Sequence, residues 1–286
     1  MTIYANGMGG GIGRVLWPIL EKKGAVRIAA SSDIGRLACD LRYLAESDGD
    51  WFAPGDIFVF PAAWSKPDQC RKDPKGARLV NVDNTSRLIS KALERKTTVL
   101  FFSSDTVYGQ QEGALSEDAP LLATEEYGKM KAEVERRFHA EPGFTALRLS
   151  YVTSLEDGVT KYFSSCAQNG AVAEVFGEYA RSMVWIDDVV ATVCSLISMV
   201  ERGQALPKAI NVGGPACLSR VEMAQAYQRS IDGSLRISDI EAPEGFFSSR
   251  PRRIALDISL LTSVLKRFPV SLDEAYKKSI KGATHG

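Results

Sequence analysis

Histidine is nearly missing from this chain, paired cysteines are missing altogether, and neither sign of charge is in excess. Two histidines in 286 residues, His139 and His285, tell against a histidine triad or a histidine-rich metal cluster. Cys39, Cys70, Cys166, Cys194 and Cys217 are odd in number and form no C-x-x-C pair, which points to reduced thiols, not to disulfides or zinc. The N-terminus carries no cationic, apolar leader, so the expected location is the cytoplasm. No apolar run approaches the roughly 18 residues of a membrane span. Thirty-five basic residues balance thirty-five acidic ones, so neither nucleic acid nor an anionic membrane is expected as a partner.

What is present is an alternation of short apolar runs with helical patterns, the signature of βαβ units. Strands are expected at Thr2–Ala5, Val26–Ala30, Asp56–Phe60, Thr98–Phe102 and Thr145–Leu149. Helices are expected from the glycine loop to about Leu20, over Asn81–Arg95 with an apolar stripe at Leu88, Ile89, Ala92 and Leu93, and over Tyr127–His139. Pro18 should kink or shorten the first of these. Beyond Tyr151 strands thin out, and Ser219 with Glu222 has the spacing of a capping box. The fold class is therefore α/β: a Rossmann-type doubly wound parallel sheet that binds a dinucleotide over 1–152, then a smaller C-terminal α/β substrate-binding domain over 153–286. Residues of about 184–213 are expected to pack back on the first domain.

Gly7, Gly10 and Gly13 follow the first strand directly and open a helix. A tight turn and close approach to a pyrophosphate both require residues without Cβ, and the helix start at Gly11 and Ile12 offers amide donors. Strand two ends in Ser31, Ser32 and Asp33 with Arg36 following, where an NAD-preferring chain usually places an acid. Two hydroxyls and an arginine suit a 2′-phosphate, so NADP(H) is favoured and NAD(H) is the alternative.

Tyr127 is the only tyrosine with a lysine, Lys131, four residues on. One helical turn puts the ammonium on the phenol's face, where it should lower the phenol's pKa. Ser104, just past a buried strand, can hold a carbonyl oxygen beside that phenol. These three segments, in this order, describe nicotinamide-dependent chemistry at a carbon–oxygen centre.

With these residues in place the chain resembles the extended short-chain dehydrogenase/reductase family (the NAD-dependent epimerase/dehydratase type) over nearly its whole length. Ser104-Asp105-Thr106-Val107-Tyr108-Gly109 is similar to that family's catalytic segment, and Asn81-Val82-Asp83-Asn84-Thr85 to its helix-opening motif. The resemblance implies cofactor contacts at Ala62 and Ala63 and at Asp40-Leu41, and places Asp105 beside the sugar. It also implies diphosphate contacts at Arg181, in Arg181-Ser182-Met183-Val184-Trp185-Ile186-Asp187-Asp188-Val189, and at Arg250, in Arg250-Pro251. Arg148-Leu149-Ser150-Tyr151 and the C-terminal spacing resemble the dTDP-4-dehydrorhamnose reductase branch, although Asn6 stands where threonine is usual. The implied activity is NAD(P)H-dependent reduction of a nucleotide-linked keto-sugar by a homodimer, with Tyr127, Lys131 and Ser104 as the catalytic group. An NAD-dependent epimerase is the alternative, and a non-catalytic nucleotide-binding member a further one. A dehydratase fits less well, because Thr106 stands where a glutamate would be needed.

Overall fold

The computed structural model describes residues 1–30 and 37–283. In chain order its regular elements begin β1 (Ile3–Ala5), α1 (Gly11–Lys22), β2 (Val26–Ala29), β3 (Leu37–Ala38), β4 (Ile57–Phe60), α2 (Pro67–Lys72), α3 (Pro74–Arg78), α4 (Thr85–Glu94), β5 (Thr98–Ser104), β6 (Ala114–Leu115), α5 (Glu126–Phe138) and β7 (Phe144–Leu149). They continue with β8 (Val152–Thr153), α6 (Gly158–Gln168), β9 (Val172–Val175), β10 (Ala180–Ser182), β11 (Val184–Trp185), α7 (Ile186–Glu201) and β12 (Ala209–Val212). The last are β13 (Cys217–Ser219), α8 (Arg220–Ser230), β14 (Arg236–Asp239), β15 (Arg253–Leu256), α9 (Ser259–Leu265) and α10 (Leu272–Ala283).

The chain divides into two compact units. The first comprises Met1–Val107, Leu121–Arg148 and Val193–Ile210; the second comprises Tyr108–Pro120, Leu149–Thr192 and the chain from Asn211 onward. The sheet that organises the first unit has the order β12-β7-β5-β4-β1-β2-β3. Its β1–β2, β1–β4, β2–β3 and β4–β5 pairs are parallel. The chain leaves β1 toward β2 and β3, then returns to β4 on the other side. That reversal opens a crevice at the carboxyl end of β1, where the glycine loop stands.

The innermost strands β1 and β4 carry no charged or hydroxyl-bearing aliphatic residue, as expected where helices cover both faces of such a sheet. All four residues of β4, Ile-Phe-Val-Phe, are buried. An edge-and-stack series of rings runs from Tyr4 through Phe52, Phe58, Phe60 and Phe101 to Phe144, with neighbouring centroids 4.7–6.1 Å apart. On α4 the expected stripe is buried at Leu88, Ile89 and Ala92. Pro18 does not shorten α1, which runs through it to Lys22, two residues beyond the expected end. The helix expected from Asn81 begins differently: Leu79–Asn84 forms a π-helical turn ahead of α4. Such wide turns concentrate at functional sites.

In the second unit β13-β10-β15-β6 forms a four-stranded sheet, beside two-stranded pairs β11-β8 and β14-β9. The Ser219–Glu222 capping box is present at the start of α8. Among the described residues no helix is long and apolar enough to cross a membrane, and no cluster of acidic, histidine and cysteine side chains could hold a metal ion.

Phe58 is fully buried at the middle of the ring series. Phe58→Ala should therefore destabilise the chain by about 3–5 kcal/mol, read from urea unfolding midpoints.

Candidate active site

The glycine loop is shaped by atoms that leave no room for side chains. Gly7 adopts φ 65, and a Cβ there would stand 2.8 Å from the amide nitrogen of Ala62. A Cβ on Gly13 would stand 2.4 Å from the Gly7 carbonyl oxygen and 2.5 Å from the Met8 Cα. Gly10, the N-cap of α1, supplies no side chain, and the first turn of α1 carries no acid. The amide donors of a 12-residue helix thus start beside a loop held close by its own glycines. That cradle fits the pyrophosphate of a dinucleotide.

Three asparagines brace the crevice. Asn6, the departure from the usual threonine, is buried, and its side-chain oxygen accepts from the Ala62 amide at 3.3 Å. Asn81 pairs twice with the Trp64 backbone, accepting from its N–H at 2.8 Å and donating to its carbonyl at 2.9 Å. Asn84 donates to the Leu41 carbonyl at 2.8 Å. Ala62 and Ala63 are half-buried in the segment between the first two of these anchors. Leu41 itself packs into the core of the first unit, and the Asp40 carboxylate is gripped by Arg42 at 2.6 Å, which holds it below the usual carboxylate range. Ser31, Ser32 and Arg36 lie outside the described residues.

β5 ends at Ser104, and a single 3-10 turn, Asp105–Tyr108, follows. The Ser104 hydroxyl oxygen accepts from the Thr106 amide at 3.2 Å and the Thr106 hydroxyl at 2.9 Å, and its own hydrogen reaches the Asp105 carboxylate at 3.4 Å. A Cβ on Gly128 would stand 2.6 Å from the Thr106 carbonyl oxygen, so the start of α5 lies directly on this turn. Tyr127 is thereby set beside it, packed against the buried cluster of Cys70, Ala77, Val82 and Met130. The Cys70 thiol donates to the Trp64 carbonyl at 3.2 Å, and burial pushes its pKa up.

Lys131 is 1% exposed, and its ammonium donates to the Phe102 carbonyl at 2.7 Å. It stands 4.3 Å from the centre of the Phe101 ring and 5.9 Å from that of Tyr127. Burial lowers the lysine to about 7, against the upward pull of Glu135 and Cys70. The expectation that the lysine draws the phenol downward is corrected: Tyr127 is pushed above its ordinary value, first by burial, then by Cys70 and Asp105. The lysine, itself lowered to about 7, is already neutral at the pH where the phenol titrates and so exerts no downward pull there.

Sequence reading missed what lies beneath. Glu135, one turn beyond Lys131, accepts from the Ser103 hydroxyl and from Arg148, whose Nη2 is 2.8 Å away, with both charged side chains nearly fully buried. This network ties α5 to β5 and β7. Two signals were available: the i,i+4 spacing of Lys131 and Glu135, and a lone arginine in the otherwise uncharged strand Phe-Thr-Ala-Leu-Arg-Leu.

The two arginines assigned to a diphosphate belong to the second unit. Arg181 is 1% exposed and donates to the carbonyls of Ala180 at 2.7 Å, Arg252 at 3.1 Å and Pro251 at 2.7 Å. Two of those bonds join β10 to the segment just ahead of β15. Arg250 is half-buried, donates to the Phe246 carbonyl at 3.3 Å and stacks 4.6 Å from that ring's centre. Asp188, from the same stretch as Arg181, accepts from Arg267 at 2.6 Å and from the Val270 amide at 2.8 Å.

The lysine carries a stability signature. Folded, it loses its proton near pH 7; its ordinary value is 10.5, so between those values the unfolded chain binds more protons and stability rises with pH. Lys131→Met removes the buried ammonium. Its stability advantage over the parent chain should be greatest at pH 6 and shrink above pH 7 with a slope approaching about 1.4 kcal/mol per pH unit, measured by urea unfolding at several pH values.

Comparison with known proteins agrees with this geometry. The dTDP-4-dehydrorhamnose reductase of Aggregatibacter actinomycetemcomitans is 25% identical over 228 residues, covering 78% of this chain and 77% of that protein. The "Probable low-salt glycan biosynthesis reductase Agl14" of Haloferax volcanii is 22% identical over 280 residues, covering 91% and 90%. Among solved structures, MoeE5 in complex with UDP-glucuronic acid and NAD superposes with a TM-score of 0.76 at 22% identity, covering 99% of both chains, and shares the fold. The model of the RmlD substrate binding domain matches residues 1–283. With the glycine cradle, the Tyr127–Lys131 pair and a family match over nearly its whole length, the chain belongs to the RmlD substrate binding domain family.

Proposed function

We propose that this chain is a reductase acting on the keto group of a nucleotide-linked sugar, with a nicotinamide dinucleotide as reductant. The observation that carries the reading is the placement of Tyr127: a half-buried phenol beside the Ser104–Asp105 turn, with Lys131 one helical turn on and 5.9 Å from its ring centre. Reduction of a carbonyl needs a proton donor at its oxygen, and a phenol is protonated at neutral pH. The reductases of the same family named above support the same direction.

The glycine loop, Asn6 and the Ala62 segment would hold the dinucleotide, which when bound supplies a hydride to the carbonyl carbon. The Ser104 hydroxyl fixes the carbonyl oxygen, and the Tyr127 hydroxyl donates its proton to that oxygen, giving an alcohol. Lys131 holds position through the Phe102 carbonyl and Phe101 ring, and its positive charge stabilises the phenolate left behind. Preference for NADPH over NADH is inferred from Ser31, Ser32 and Arg36 in the sequence.

Tyr127→Phe should bind NADPH as the parent chain does and lose about 10²–10⁴-fold in turnover with a dTDP- or UDP-linked 4-keto sugar. Turnover in that variant equal to the parent's would refute the assignment. The measurement is NADPH consumption at 340 nm (a generic absorbance assay), with NADPH affinity determined separately by fluorescence.

A further inference from the structure

Besides Arg181, the second unit holds another guanidinium suited to an anion. Arg220 is the first residue of α8. Its guanidinium carbon stands 4.0 Å from the centre of the Tyr151 ring and 5.2 Å from that of Tyr179. Its Nη1 reaches the Met223 sulfur at 3.4 Å, a weak acceptor. The nearby carboxylates are engaged elsewhere. Glu222 accepts from the Ser219 amide at 2.7 Å, and Asp157 accepts from the hydroxyls of Tyr151 at 3.0 Å, Thr153 at 2.9 Å and Thr160 at 2.6 Å.

Among the described residues Arg220 thus has no carboxylate partner, although it is half-buried. Aromatic faces offset part of the cost of holding such a charge away from water, and an oxyanion would offset more. The brace is firm, because Asp157 fixes the Tyr151 hydroxyl while capping α6 through the amides of Val159 and Thr160. Tyr151 follows the carboxyl end of β7 by two residues, the end at which ligands meet parallel strands. Of the neighbouring basic residues, Arg181 stacks 4.2 Å from the centre of the same Tyr179 ring, and Arg252 is exposed and pairs with Glu178 at 2.8 Å.

We propose that Arg220, braced by Tyr151 and Tyr179, takes the diphosphate of the nucleotide-linked substrate. This rests on the nucleotide-sugar reading above. The planar guanidinium can meet two phosphate oxygens at once, which an ammonium cannot.

The test titrates the full chain calorimetrically with UDP, dTDP, uridine, thymidine and NADPH. Arg220→Gln should weaken UDP or dTDP binding by about 10- to 100-fold while NADPH binding stays at the parent value, and Arg220→Lys should recover only part of the loss. Binding of the diphosphates by Arg220→Gln as tight as the parent's overturns the assignment and leaves the nucleotide-sugar reading standing. A loss equal for nucleoside and nucleoside diphosphate also overturns it, since the arginine would then be supporting the tyrosines only. If the parent chain binds NADPH but neither UDP nor dTDP, the nucleotide-sugar reading fails and the assignment with it.

Discussion

An ammonium group taken out of water has to be surrounded, and the surroundings of Lys131 fix much of the first unit. Its carbonyl partner comes from β5, a ring face comes from Phe101 on the same strand, and Glu135 lies one turn along its own helix. Glu135 is buried in turn and must be neutralised, which calls Arg148 into β7 and recruits Ser103 beside Ser104. A single buried cation therefore sets the position of α5 against two strands. The helix that carries Tyr127 cannot shift without breaking a chain of charge-assisted hydrogen bonds.

The same burial gives the pair its chemical character. Desolvation moves a phenol and an ammonium in opposite directions, the first upward and the second downward. Both shifts favour the uncharged forms, so the site holds a neutral donor next to a cation that is costly to maintain. Instability of this kind is common where a site must stabilise a charge that appears only during reaction.

Much of this was legible in the sequence because it depended on spacing. Strand ends fell within two residues of those expected at β1, β4 and β5, since apolar β-branched and aromatic runs leave few alternatives. The glycine loop, Ser104 and the Tyr127–Lys131 pair were readable because each demands residue types at short range. What could not be read is where a long side chain points. Arg181 resembles an anion contact by its motif, and the sequence does not show that three of its hydrogen bonds go to the carbonyls of Ala180, Arg252 and Pro251. Arg220 belongs to no motif, and only folding brings Tyr151 and Tyr179 to it across long stretches of chain. The direction of the Tyr127 shift escaped for the same reason: proximity to lysine is written in the sequence, whereas depth is not.

The π-helical turn at Leu79–Asn84 is an extra residue folded into a helix. Removing one residue there would restore ordinary helical winding, a change the backbone would welcome. It would also swing the preceding side chains by about 100°, releasing the Asn81 carboxamide from Trp64 and the loop that follows β4. Descendants of this chain could thus become sturdier in their helices while losing the shape of their crevice, and a simple measure of folded content would not reveal the difference.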